Sequence, residues 1–299
     1  MAIPQTILPI FLLILLGYAL ARRGALDPHA NKALGGLAFK LFMPMVLFTG
    51  MIAAPLHDGL NTTLLAAYFV PALLIFAAVN VFAHRSLGRP TPFGLTASFG
   101  NNALIGLAMV AGLYGSQGLI LLFTVLAVHS LLLFSAQSFY DSFAGNEPFK
   151  PGILVASLAN PMIIGLLLGT AINLSNLTLP GWSMKLANWL AQAALPCALI
   201  VLGANLSGYR LRPSAHAVGI AAAKLVFMPL LVLLTCLLLH IDGIPRGVLV
   251  LMAANPSGVN VLGFARTQED IQIGSSAICL TTLLSMATLP LWMWIASLG

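Results

Sequence analysis

Charge is almost missing from this chain. Only 7% of its 299 residues are charged, against about a quarter in soluble domains, and the mean hydropathy is +1.00. That combination excludes a water-soluble globular protein and leaves an integral membrane protein with little soluble mass. Acidic residues are scarcest. All seven (Asp27, Asp58, Asp141, Glu147, Asp242, Glu269 and Asp270) fall at the ends of apolar runs or between them. A cation antiporter or proton relay built on a buried carboxylate is therefore disfavoured. Cysteine is sparse too. Cys197, Cys236 and Cys279 lie inside apolar runs without metal-ligand spacing, so they read as packing residues, and no metal or cofactor is expected. The pI near 9.6 reflects no basic patch. Lys and Arg sit at run ends, which orients a membrane protein and argues against nucleic acid as a partner.

What the chain does have is apolar length. About 20 residues cross the hydrocarbon core, and ten such runs lie near 3–21, 33–53, 62–83, 93–114, 119–140, 152–173, 184–206, 215–239, 247–266 and 272–297. The first run lacks a basic leader region and is followed by Arg22-Arg23, so it reads as a retained helix. Alternate loops carry the positive charge: Arg22, Arg23 and Lys32; Arg85 and Arg89; Lys150; Arg210 and Arg212; then Arg266. The opposite loops hold only Lys185 and Arg246 among basic residues. Both termini are expected on the non-cytoplasmic side of the cell (inner) membrane.

Two runs are interrupted, at corresponding places in the two halves. The fourth breaks at Gly100-Asn101-Asn102, and the ninth at Asn255-Pro256-Ser257-Gly258-Val259-Asn260. Irregular backbone at membrane depth is tolerated only against protein or a wet cavity. Paired broken helices point to a transporter's binding site. An odd number of runs per half makes a duplication inverted. Pro44 pairs with Pro196 at an offset of 152 residues and Asn101 with Asn255 at 154, with Gly50–Gly203 and Pro71–Pro229 nearby. The expected organisation is two inverted five-helix repeats, 1–145 and 146–299, hinged across 141–151. Each break frees N–H groups that attract anions and C=O groups that attract cations. Asn101, Asn102, Asn255 and Asn260 add neutral donors and acceptors at that depth, while Ser257 and Gly258 allow close approach.

At these residues the chain resembles the auxin efflux carrier family. The similarity covers nearly the whole length: the opening Ile7–Phe48, Gly100-Asn101-Asn102-Ala103-Leu104-Ile105-Gly106-Leu107, Asn255-Pro256-Ser257-Gly258-Val259-Asn260-Val261 with Ala265, Ala159-Asn160-Pro161, and Pro290. The resemblance implies an all-α integral membrane protein of ten transmembrane helices in which helices four and nine cross near the midplane. It also implies a scaffold of helices 1, 2, 6 and 7, often homodimeric, and an elevator-like transport unit of helices 3–5 and 8–10. The implied cargo is a small organic anion such as auxin, malate or malonate, and the protein itself is expected to be surrounded by membrane lipid. Ala108 departs from the pattern, because the family often has proline there. The first break must then rest on Gly-Asn-Asn.

The candidate substrate-binding residues are Asn101, Asn102, Asn255, Pro256, Ser257, Gly258, Asn260 and Lys224. Lys224 reads either as a counter-charge for a carboxylate or as a snorkelling side chain. Lys40 has the same ambiguity and reads as structural. His129, the only deep histidine, reads as a proton-coupling group or, more simply, as a hydrogen-bonded packing residue. Asparagines in membrane helices often only bridge neighbours, but Asn101 and Asn255 sit at matched breaks. Met and Phe read as core or lipid-facing. Two rival functions remain. One is an intramembrane serine protease using Ser257 with His129 as base, although Asn255 stands where the nucleophile motif needs glycine. The other is a ten-span exporter of a different family, which would not need Pro256.

Overall fold

The computed structural model describes residues 2–53, 62–145, 161–208 and 214–298. Apart from one isolated β-bridge, the regular structure among the described residues is helical. We label the helices α1 (Ala2–Arg22), α2 (Pro28–Ile52), α3 (Thr62–Leu87), α4 (Phe93–Ser98), α5 (Asn102–Gly115) and α6 (Gln117–Ala144). They continue as α7 (Pro161–Leu174), α8 (Gly181–Gly208), α9 (Ala215–Leu238), α10 (Gly243–Ala254) and α11 (Gln268–Ala296). Six of them (α2, α3, α6, α8, α9 and α11) are long and apolar enough to cross a membrane. Helical backbone is nearly continuous from α5 into α6, and the turn between them is made at Gly115, whose φ of +58° favours glycine. Of the expected hinge 141–151, residues 141–145 continue the preceding helix instead of breaking it, and 146–151 lie outside the described residues, as do the start of the sixth run with Asn160, and Asp58, Arg210 and Arg212.

Local chemistry sets the helix ends. Asp27 accepts from the N–H groups of His29 and Ala30, with Pro28 in the first turn, so α2 starts earlier than its apolar run. Thr267 and Asp270 form a reciprocal capping box at the start of α11. The second broken run begins at Gly243, not Gly247, because Gly243 turns the chain at φ +63° just after Asp242. Arg246, expected in a loop, is therefore buried inside α10, with Asp242 one turn back at 3.2 Å.

Proline shapes two of the long helices. Pro44 and Pro229 lack an N–H and crowd the carbonyl four residues earlier. Each is preceded by a π-helical turn, Ala38–Phe42 in α2 and Ala223–Phe227 in α9. In these turns Met43 and Met228 reach back five residues to Ala38 and Ala223.

The chain divides into two compact units: Met1–Leu60, Leu107–Ala127 and Val155–Gly208 in one, and Asn61–Gly106, Val128–Leu154 and Tyr209–Gly299 in the other. In the first unit α1 packs along α8 and α2 along α7. Gly17 lies against the Ile200 backbone and Gly203 against that of Ile14, leaving no room for a Cβ at either position. Asn173 donates to the carbonyls of Met51 and Ile52, closing the end of α2. In the second unit α10 is buried on all sides from Arg246 to Ala254, as a short helix apolar all round must be. Replacing Gly203 by Val should cost about 1–3 kcal/mol through overpacking. A lowered unfolding midpoint in detergent, beside a near-neutral Gly219→Ala control in open space, is the expected result.

Candidate functional site at the helix crossing

The two interruptions meet inside the second unit. α4 ends at Ser98, Phe99 is extended (φ −85°, ψ 105°), and the chain resumes helix at Asn102. α10 ends at Asn255 (φ −60°, ψ 147°), the extended conformation demanded of a residue before proline, here Pro256. Gly100 and Ser257 form an antiparallel bridge. Asn101 N–H donates to the Pro256 carbonyl at 2.8 Å, and Gly258 N–H to the Phe99 carbonyl at 2.9 Å. Each broken helix thus supplies backbone partners for the other. The first break forms with Ala108 buried inside the helical stretch beyond it, so no proline is needed there.

Side chains satisfy most of the remaining groups. Ser257 Oγ donates to the Thr96 carbonyl at 2.7 Å, and Ser257 N–H donates to Thr281 Oγ1 at 3.2 Å. Lys224 is fully buried and does not snorkel. Its Nζ donates to the Ala253 carbonyl at 2.6 Å, capping the carbonyl end of α10. Pro229 leaves the Leu225 carbonyl without its helical donor, and the Trp292 indole N–H supplies one at 2.7 Å.

The amides form a connected set. Asn255 Nδ2 donates to Asn102 Oδ1 at 2.7 Å, and Asn102 Nδ2 donates to the Tyr68 hydroxyl at 3.0 Å. That hydroxyl also lies 3.3 Å from His129 Nε2. The His129 ring packs 4.4 Å from that of Phe99. Two buried amide atoms at the crossing have no hydrogen-bond partner among the described residues, Asn101 Nδ2 and Asn255 Oδ1. They are one donor and one acceptor.

The structure therefore brings together Asn101, Asn102, Asn255, Pro256, Ser257, Gly258, Lys224 and His129 within one unit. Gly258 packs against the Phe99 ring, close enough that a Cβ would collide with it. Asn260 stands apart. It lies in the 3-10 turn Val259–Phe264, beyond the break, and its side chain is exposed. The residues that sequence reasoning missed are Tyr68, Thr96, Thr281 and Trp292. Pro229 signals that a carbonyl must find a new donor, but a linear pattern does not say which side chain provides it.

Comparison with known proteins agrees with this geometry. A family model described as "Membrane transport protein" matches residues 2–140 and 150–293. The chain belongs to this membrane transport protein family, which includes the auxin efflux carriers. It is 28% identical over 294 residues to an uncharacterized transporter of Methanothermobacter thermautotrophicus, covering 96% of both chains. It is 29% identical over 299 residues to a Rhizobium meliloti protein named "Putative malonate transporter", covering 94% of this chain and 92% of that one. An uncharacterized transporter of Escherichia coli K12 is 22% identical over 307 residues, covering 98% of this chain and 97% of the other. The protein is thus a multi-pass membrane transporter and not an enzyme. Its geometry agrees: Ser257 Oγ and His129 are engaged with Thr96 and Tyr68 respectively.

Replacing Trp292 by Phe keeps an aromatic ring at a buried position but reduces its volume and removes the donor to Leu225. An unpaired buried carbonyl costs about 1–3 kcal/mol, so thermal unfolding in detergent should fall measurably below wild type. An unchanged midpoint would show that this bond contributes nothing.

Proposed function

We propose that the protein is a secondary active transporter for a small organic anion, a mono- or dicarboxylate of the auxin or malate/malonate type. The observation that carries this reading is the crossing itself: two buried unpartnered amide atoms in the same unit as the buried ammonium of Lys224. The unpartnered Asn101 donor, in the same unit as the buried Lys224 side chain, favours a carboxylate, and the described residues of the crossing include no carboxylate to repel it. The name borne by the Rhizobium meliloti relative points the same way.

In this reading the protein has ten transmembrane helices in two inverted repeats. The matched breaks support it, as does the packing of α1 on α8 and α2 on α7. The first unit, with α1, α2, α7 and α8, acts as a scaffold and the site of homodimerisation. The second, carrying the crossing, acts as the unit that moves in an elevator-type cycle. The division of the chain into these two units supports that assignment except at Leu107–Ala127, which the expected transport unit includes and which falls in the first unit. Both termini lie on the non-cytoplasmic side of the cell membrane, in keeping with the alternation of Lys and Arg among the loops. Membrane potential supplies about 2.3 kcal/mol per net charge at 100 mV, enough to drive anion export.

A thermal-shift screen of small mono- and dicarboxylates, with and without sodium, tests the proposal. A ligand present at 100 times its Kd stabilises the native state by about 2.7 kcal/mol, so at least one carboxylate should raise the midpoint. A screen in which none does so contradicts the reading. Asn101→Ala and Asn255→Ala should each weaken that shift while the protein still inserts, and Lys224→Gln should lower affinity for carboxylates. Pro256→Leu should cripple transport in proteoliposomes, whereas a transporter indifferent to the crossing would tolerate it. Ser257→Ala should leave transport partly active.

A further inference from the structure

A single directed hydrogen-bond chain runs from the crossing to His129. Asn255 Nδ2 donates to Asn102 Oδ1, Asn102 Nδ2 donates to Tyr68 Oη, and Tyr68 Oη lies 3.3 Å from His129 Nε2. All four side chains are buried. With the ring proton of a neutral His129 on Nδ1, the Tyr68 hydroxyl donates to Nε2 while its oxygen accepts from Asn102. Every donor in the chain points from the crossing toward the histidine. The far end is Asn255 Oδ1, a buried acceptor with no partner, which is the wrong polarity to meet a carboxylate.

We infer that His129 takes up one proton together with the anionic cargo and, acting through Tyr68, reverses this chain so that Asn255 offers its N–H to the carboxylate. The inference rests on the carrier reading above. The reversal conserves every atom and adds one proton at Nε2. Protonated Nε2 donates to Tyr68 Oη, and the tyrosine proton swings toward Asn102. The Asn102 amide rotates to accept it on Oδ1 and to donate from Nδ2 to Asn255 Oδ1. Asn255 Nδ2 is then released toward the cargo. An amide carries a donor and an acceptor on one planar group, so two half-rotations convert the site.

The electrostatics tie the proton to the anion. The described titratable groups that reach His129 are Tyr68 on α3 and Lys224 on α9; its other ring neighbours are Phe69 and Phe99. Lys224 has the same sign as a protonated histidine, so a proton arriving alone is repelled. A carboxylate arriving at the crossing offsets that repulsion. By linkage, the proton must strengthen anion binding as much as the anion strengthens protonation. His129 and Tyr68 are therefore positioning residues that set the polarity of Asn255.

The experiment uses purified full-length protein in detergent and radiolabelled malonate as the probe, between pH 7 and 9. Over the range where His129 is neutral in the free protein and charged in the complex, one proton taken up per anion weakens wild-type binding about tenfold for each unit the pH rises. Tyr68→Phe preserves the ring and breaks the chain, and His129→Gln removes the titration. Each should bind malonate with affinity independent of pH. A Tyr68→Phe variant that keeps the wild-type slope overturns the inference, as does a wild type that binds malonate with no slope. Those outcomes leave the carrier reading intact, whereas absence of malonate binding at every pH sinks both. Direction can be read without ligand from 15N-histidine NMR spectra. The resonances missing from His129→Gln should belong to an Nδ1-protonated ring, and an Nε2-protonated ring contradicts the chain drawn here.

Discussion

The structure depends on one short antiparallel pairing, in which Asn101 and Gly258 each donate a backbone N–H to the opposite broken helix. Within a lipid-embedded protein an unsatisfied peptide group costs several kcal/mol. A helix can stop at membrane depth only if something replaces the lost bonds. Here each interruption is the partner of the other, so neither is stable alone. Pro256 removes any possibility that α10 continues as a helix. Gly258 leaves space for the Phe99 ring to lie against the crossing. The remaining backbone groups are taken by side chains from several helices: Ser257 to Thr96, Thr281 to Ser257, and Lys224 to Ala253.

That accounting changes what the breaks offer to a ligand. Bare peptide dipoles were the first expectation, yet the carbonyl end of α10 is capped by an ammonium. What remains unpartnered is amide side chain, on Asn101 and Asn255. A site made from amides differs from one made from helix ends, because amides rotate. Its polarity can follow the protonation of a neighbouring group, whereas a helix dipole is fixed.

Much of this was legible in the linear chain, for physical reasons. Apolar length located the helices because crossing hydrocarbon imposes a minimum run. Both breaks were visible as Gly, Asn and Pro inside such runs. Edges were less legible where a cap moved them. Asp27 extends α2 toward the amino terminus, and Gly243 draws Arg246 into α10. Asn260 lies in the same motif as Asn255, but the 3-10 turn after Gly258 carries it to an exposed position. Lys224 was balanced between snorkelling and a buried role, since depth along a helix does not reveal which way the side chain turns. Tyr68 and Trp292 were invisible for a related reason: each matters through one hydrogen bond to a residue distant in sequence.

The most direct measurement is a cryo-EM map of the protein saturated with a small dicarboxylate such as malonate. Density for a carboxylate within hydrogen-bonding distance of the Asn101 and Asn255 amides is the expected result. Ligand density remote from the crossing, with both amides still unpartnered, would contradict the claim that the two broken helices build the substrate site.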